Sequence, residues 1–496
     1  MLLLLFILLP LLSIMLCLTC EYVNIKISKW IALITMSLVF FLSIFLWGKY
    51  FYFHNIVCNK NSWIEEFQIP WIPILGIEFH LGIDGLSLIM LVLSSFIAVI
   101  SVLCSWDESK NYSGFFYSST LLIFIGTVGV ILSLDLFLFF CFWEIMLLPI
   151  YFLVIFWGNK IYNKKDKIYT ANKFLIYTQL SSLLMLFSIF LLSWNCYVHT
   201  HILTFNYNIL STIPIYLPLE YTIMIGFFLA FAVKMPIIPF HSWLPNLHSR
   251  LLPSASIDLL GLSLKVSIYG LLRFNTLFFK VSSMYFFYNA FFLGLCTIFY
   301  ASWMAFNEKN IKKIIAYSSI AHMGFMLIGI YCGDTLSLQG VVLQMIFNTI
   351  STSGLLVLFG QIYSRFKIMN IMHMGGIYTG IKWIPSFVFF FFFTNLNFPG
   401  TPNFIGEVMI LLGVLHKSLI LFLLLMCSLF FPVIYSLNVI HRVFYGPLLN
   451  YGLKKIIQTN YLEFSLIFVL MIITILSGLF PEYILHTYNI LLNNIY

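Results

Sequence analysis

Five side chains place charge or a titratable ring inside stretches that are otherwise apolar: Glu144, Lys234, Lys265, His322 and Glu407. Glu144 stands in LFLFFCFWEIMLLPI with no other charge within eight residues. An isolated carboxylate in hydrocarbon costs at least a few kcal/mol, so it must be protonated, hydrated or met by a cation. Lys234 is the expected partner. It ends the apolar run of FLAFAVKMPIIPFHSWLP and is followed by Pro236 and Pro239, and proline removes a backbone donor and clashes with the preceding turn. This segment is therefore expected to break inside the membrane. Burial disfavours the charged form of either group alone and pairing favours it, so opening or closing the pair would release or capture a proton. A spacing of about 4–6 Å, or a bridging water, is expected. A static pair locking two helices together is the alternative.

Lys265, in GLSLKVSIYG, follows Pro253 by about twelve residues and has no carboxylate within four, so no local ion pair accounts for it. It is expected in the middle of the path; a structural lysine reaching an interface is the alternative. His322, in KNIKKIIAYSSIAHMG, falls among small and hydroxylated residues and titrates near neutrality, although a satisfied core histidine has the same signature. Glu407, in NFPGTPNFIGEVMILL, follows a second proline-broken segment, where opened backbone can meet water; a helix cap is the alternative. Asp258, seven residues before Lys265, is expected on the same helical face. Asp84 and Asp135 are expected to open helices, and Trp243 to anchor a span at the interface.

The elements that position these groups follow from composition. Of 496 residues, 61% are hydrophobic and 8% charged, and the mean hydropathy is +1.01. Soluble domains carry roughly 25% charge, so the chain reads as an all-α polytopic membrane protein, long enough for about 12–15 spans. Apolar windows near 1–19, 31–47, 83–105, 115–133, 136–157, 174–194, 221–240, 254–275, 284–304, 314–332, 337–360, 383–411, 418–440 and 462–480 predict fourteen helices. The first lacks a basic start and a small-residue cleavage site, so it is read as a span rather than a signal peptide. With helices alternating in direction, eighteen of the 25 lysines and arginines fall on one side, among them Lys26, Lys110, Lys160, Lys309, Lys382, Lys454 and Lys455. Five fall on the other (Lys49, Lys60, Arg273, Lys280, Lys417), and Lys234 and Lys265 lie within the membrane. The bias assigns the first set to the inside and both termini to the outside. The net charge of +8 then reflects loops facing anionic lipid and implies no nucleic-acid role. Nine scattered cysteines and no glycine-rich nucleotide loop leave a metal, iron–sulfur or nucleotide cofactor without a seat.

Glu144 precedes Lys234 by 90 residues and His322 precedes Glu407 by 85, with a proline-broken segment at the second member of each pair. That pattern predicts inverted repeats at 114–275, broken near Lys234, and 283–444, broken near 397–407. Helices of 1–113 precede them, and a loop and last helix occupy 445–496.

HLGIDGLSLIML, FWEIMLLPIYFLVIFWG, KFLIYTQL, FAVKMPIIPFHSWLP, GLSLKVSIYGLLRF, KKIIAYSSIAHMG and NFPGTPNFIGEVMIL together resemble the antiporter-like proton-channel subunits of respiratory complex I, over about residues 80–445. The likeness is greatest to the subunit 4 type, because subunit 5 and the related multisubunit sodium/proton antiporters usually carry glutamine at the position of His322. It implies two inverted five-helix repeats and proton pumping coupled, in the whole complex, to NADH oxidation and ubiquinone reduction. It also implies FMN and iron–sulfur clusters in other subunits, neighbouring membrane-arm subunits and lipids as partners, and a relay through Glu144, Lys234, Lys265, His322 and Glu407. Two positions depart from the family pattern: Asn348 stands where histidine is usual, and Asn246 where an acid is usual. The 54 phenylalanines suit an A/T-rich coding genome and point to a mitochondrial inner membrane, with a bacterial plasma membrane as the alternative.

Overall fold

The computed structural model describes residues 1–21, 24–54, 63–108, 112–159, 161–379, 383–447 and 461–495. Lys60, Lys110, Lys160, Lys382, Lys454 and Lys455 of the charge count lie outside them. Among the described residues, thirteen helices are long and apolar enough to cross a membrane, and each coincides with one of the fourteen apolar windows. The remaining window, 383–411, is two half-helices, Ile384–Asn395 and Pro402–Lys417, so the all-α polytopic reading holds.

Two compact units divide the chain. One comprises Met1–Lys234, Leu262–Phe286 and Tyr483–Tyr496; the other comprises Met235–Gly261 and Phe287–Glu482. The division falls at two irregular points. The Leu217–Lys234 helix stops at Lys234, before turns and a short 3-10 segment, Phe240–Trp243. Further on, the span Pro253–Asn275 is interrupted by a π turn at Leu259–Ser263.

Two elements were not expected, a helix Glu482–Ile495 after the last predicted window and a hairpin. Residues Glu65–Ile72 (β1) and Ile77–Ile83 (β2) form an antiparallel hairpin joined at Pro73–Leu75 and Gly76, the latter at φ 66°. Only glycine adopts that conformation cheaply, and a Cβ on Gly76 would lie 1.9 Å from the Leu203 carbonyl oxygen. The hairpin leads into Asp84, whose carboxylate accepts from the Ser87 amide while Ser87 Oγ accepts from the Asp84 amide, a capping box on Gly85–Cys104. Asp135 caps Leu136–Ile145 in the same manner, accepting from Phe137 and Leu138. Both aspartates therefore open helices, as expected.

Three expectations are corrected. Arg273, counted as a loop cation, lies inside the Lys265–Leu277 helix, 5% exposed, and its Nη1 donates to Asp84 Oδ2 at 2.8 Å. The aromatic faces of Trp63, Tyr207 and Tyr269 surround its guanidinium at 4.7–5.5 Å. Trp243 is 1% exposed, so it is a packed residue of the broken segment and not an interfacial anchor. The π turn between Asp258 and Lys265 changes their angular relation, and the common face that a continuous α-helix gives at seven residues no longer follows.

Two outcomes test this frame. Asp84→Ala leaves the Arg273 charge buried and uncompensated, which should cost about 3–5 kcal/mol in thermal unfolding followed by circular dichroism; an unchanged melting curve would contradict the pair's role. His80, 2% exposed on β2, is held below the ordinary imidazole pKa by burial, against the opposing pull of Glu66 and Glu78. The folded chain thus binds fewer protons than the unfolded one below about pH 6.5, and stability falls as the pH drops through that point. His80→Asn should flatten this acid-side slope, and an identical slope in the variant would remove His80 as its source.

Candidate functional site

In the first unit, the helix bearing Glu144 is interrupted one residue beyond Ile145. Leu136–Ile145 and Leu147–Trp157 meet at Met146 because Pro149 has no amide proton to give the Ile145 carbonyl. Glu144 is half-buried, its Oε1 buried without a hydrogen-bond partner, and Ser182 and Gln179 of the Lys164–Thr200 helix stand beside its carboxyl. Gly126 admits this break: a Cβ there would lie 2.4 Å from Met146 Cγ.

Lys234 is 3% exposed and ends its helix, where the unpaired carbonyls favour a cation. Its ammonium lies 3.6 Å above the centre of the Trp143 ring and 3.8 Å from Met146 Sδ. Glu144 supplies the opposite charge that acts on it, but the two make no ion pair at 4.0 Å or less. The Trp143 face, worth up to about 2 kcal/mol to a desolvated cation, takes the direct contact instead. Trp143 packs on Phe139 and Phe231, with ring centres 6.0 and 5.5 Å away, and Phe231 stacks on Phe274 at 6.0 Å. Lys265 is 1% exposed, immediately after the π turn, so it faces protein and not lipid. Among the described residues no hydrogen bond joins Lys234 to Lys265.

In the second unit, the expected pair is assembled directly. His322, 2% exposed, lies in the uninterrupted helix Ile311–Cys332. Its Nδ1 is 3.4 Å from Glu407 Oε1 and its Nε2 3.1 Å from Asn395 Oδ1. Asn395 Nδ2 donates to Ser318 Oγ at 3.3 Å, which turns Oδ1 toward the ring, so the Nε2 proton is given to Asn395. The Nδ1–Glu407 contact then holds a proton on either the ring or the carboxyl, the exchange that a relay requires. Glu407 Oε1 also accepts from Gln344 Nε2 at 3.1 Å.

Backbone breaks set this geometry. Asn395 is the last residue of one half-helix, and Glu407 sits in the second turn of the next, past Pro402, so it is not a cap. Gly406 and Gly340 let two helices touch: a Cβ on Gly406 would lie 2.9 Å from the Gln344 amide nitrogen, and one on Gly340 2.7 Å from the Gly406 carbonyl. Gln344 thereby reaches Glu407. Asn348, one turn along from Gln344, is fully buried, and neither side-chain polar atom has a hydrogen-bond partner. Asn403 Oδ1 and Gln344 Oε1 are likewise unpaired. Buried groups of this kind are what internal water satisfies.

Sequence reasoning found His322 and Glu407 but missed Gln344, Asn395, Ser318 and the aromatic support of Lys234. Asn395 beside the proline break was the one legible signal among them. Asn348→Leu tests the unpaired amide: an unsatisfied buried amide costs about 1–3 kcal/mol, so the variant should fold with equal or greater thermal stability while proton delivery slows. Retained proton delivery would show that this amide serves no water on the route.

The family model described as NADH:quinone oxidoreductase/Mrp antiporter, TM, matches residues 133–432. NADH-quinone oxidoreductase subunit M of Buchnera aphidicola subsp. Acyrthosiphon pisum is 47% identical over 459 residues, 92% of this chain and 90% of that protein. The subunit M of Escherichia coli K12 is 43% identical over 490 residues, 99% and 96% of the two chains. NAD(P)H-quinone oxidoreductase chain 4, chloroplastic, of Chara vulgaris is 34% identical over 92% of each. In fold, the chain is similar to one in respiratory complex I from Thermus thermophilus, with TM-score 0.85, 22% identity and full coverage of both. A chain of the Mrp complex from Dietzia is similar with TM-score 0.81 and 17% identity, over 96% of this chain and 51% of that one. The chain belongs to the NADH:quinone oxidoreductase/Mrp antiporter transmembrane family and is a multi-pass membrane subunit of NADH:quinone oxidoreductase, of the M or chain 4 type.

Proposed function

We propose that protons move through this subunit on two sets of buried groups, Glu144, Lys234 and Lys265 in one unit and His322 and Glu407 in the other, while electrons pass elsewhere in the complex. The observation that carries the reading is the His322–Glu407 contact at 3.4 Å, with both side chains 3% exposed. A fixed structural bridge would have no use for the unpaired amides around it, whereas a relay needs water, and buried unpaired amides are groups that internal water satisfies. The Trp143 seat of Lys234 supports the same reading. An ammonium held by a ring face and a nearby, unbonded carboxylate can move toward Glu144 without first breaking a close ion pair. Moving one proton against 100 mV costs about 2.3 kcal/mol, equal to about 1.7 pKa units, so modest changes in such contacts are sufficient.

In the same reading, 114–275 and 283–444 are inverted repeats whose breaks carry the exchanging groups, and FMN, the iron–sulfur clusters and the NADH and ubiquinone sites belong to partner subunits. Neighbouring antiporter-like subunits and lipid surround this chain. The bacterial sources of the 47% and 43% identical relatives favour a bacterial plasma membrane over the mitochondrial inner membrane that composition suggested.

The test is the purified complex in liposomes, with NADH-driven acidification and quinone reduction measured together. Glu407→Gln preserves an oxygen for Gln344 to donate to and removes the exchangeable charge. It and Lys234→Ala are expected to cut acidification by about 10²-fold or more in assembled complexes. Normal acidification in both variants would leave the chain a scaffold, and acidification that requires sodium would make it an antiporter.

A further inference from the structure

The two ring nitrogens of His322 meet different surroundings. On the Nε2 side the polar atoms are paired. Ser318 Oγ gives its own proton to the Ile315 carbonyl at 2.9 Å, so toward Asn395 it can only accept. That fixes the Asn395 amide, with Nδ2 on Ser318 Oγ at 3.3 Å and Oδ1 on His322 Nε2 at 3.1 Å. A carbonyl oxygen has no proton to give. Nε2 therefore carries the proton of the neutral ring and faces a group from which it can receive no other.

The half-helix junction holds this clamp in place. Asn395 is 3% exposed and ends Ile384–Asn395, where the last carbonyls lack helical donors. Asn403, from the next half-helix, donates Nδ2 to the Thr394 carbonyl at 2.8 Å and to Ser351 Oγ at 3.3 Å. The residue beside Asn395 is thus pinned from across the break.

The Nδ1 side is the reverse. Nδ1 meets Glu407 Oε1 at 3.4 Å, and the unpaired buried oxygens of Gln344, Asn348 and Asn403 stand on the two helices that meet at Glu407, Thr335–Phe366 and Pro402–Lys417. Asn403 lies one turn before Glu407 and Asn348 one turn after Gln344, spacings that share a helical face. Water satisfying these oxygens serves the carboxyl and not the far side of the ring.

We propose that Asn395 is a positioning residue that closes one nitrogen of His322, so that the histidine takes a proton from Glu407 at Nδ1 and returns it to Glu407 from the same atom. The ring then stores a proton beside the route and passes none across itself. This rests on the reading of His322 and Glu407 as a relay. The step balances: carboxylic acid and neutral ring become carboxylate and imidazolium, the O–H bond breaking as the Nδ1–H bond forms, and the reverse step restores both.

The experiment uses the whole complex in liposomes. Infrared difference spectra with nitrogen-15 in the histidine rings, recorded before and after NADH addition, separate the Nε2–H ring, the Nδ1–H ring and the imidazolium. The His322 signal is the one lost in His322→Gln, and native gels report assembly of each variant. The unaltered complex should show an Nε2–H ring turning into imidazolium, with no Nδ1–H ring. Ser318→Ala frees the Asn395 amide to turn Nδ2 toward the ring, so the share of Nδ1–H ring should rise about tenfold, the weight of one hydrogen bond, and protons delivered per electron should fall. Ser318→Thr keeps the hydroxyl and should recover the Nε2–H ring. A defect of packing alone would weaken pumping in Ser318→Ala without changing the tautomer, and that result would overturn the clamp. So would an Nδ1–H ring in the unaltered complex, while loss of pumping in Glu407→Gln would leave the relay standing. Pumping retained in Glu407→Gln, or no His322 signal while the complex pumps, would remove the relay and the clamp with it.

Discussion

A helix satisfies its own backbone polar groups and so is the cheapest way to cross hydrocarbon, but it offers nothing to a charge lodged midway. Interrupting the helix is the constraint on which this chain depends. Glu144 stands beside the break at Met146, Lys234 at the end of its helix, Lys265 just after a π turn, and Glu407 six residues beyond the junction at 396–401 that follows the half-helix ending at Asn395. Each break frees backbone groups and opens room, and each costs stability that packing elsewhere must offset. The glycines at 126, 340 and 406 do part of that, because they bring neighbouring helices close enough to cover the gaps.

The two units solve the buried-charge problem differently. In one, a lysine is carried on an aromatic face with its carboxylate near but not bonded. In the other, a histidine and a glutamate touch, and amides surround them. Both arrangements keep charge solvated by groups that hold it loosely, which is the condition for letting a proton go. The Asp84–Arg273 pair at 2.8 Å is the contrast within the same fold: a close bond, a capped helix and three aromatic faces make a fixed structural ion pair.

Much of the frame was legible in the sequence because apolar runs of about 20 residues and prolines are strong local signals. All thirteen long helices and the two expected proline breaks came from these, whereas the break at Met146 ahead of Pro149 was read as continuous helix. The hairpin at 65–83 was missed although its alternation, in EFQIPWI and IEFHLGI around a Pro–Gly turn, is the period-2 pattern of paired strands. The π turn was not legible, because no residue type enforces one. The five candidate groups stood out as titratable side chains in an apolar background. Their supports did not: Gln344, Asn395 and Ser318 are ordinary polar residues whose meaning comes only from the helices that bring them to Glu407, and Trp143 reads as one aromatic among many. Asn348 was singled out as a departure from the family pattern, and its unpaired amide fits delivery through water in place of an imidazole.

The central claim is that Glu407 changes its protonation while the complex turns over. Infrared difference spectra of the reconstituted complex, recorded before and after NADH addition with carbon-13 in the glutamate side chains, read this directly. A carboxylic-acid band that rises or falls with turnover, shifts with the label and disappears in Glu407→Gln is the predicted result. A Glu407 carboxyl signal that stays constant while the complex pumps would contradict the account.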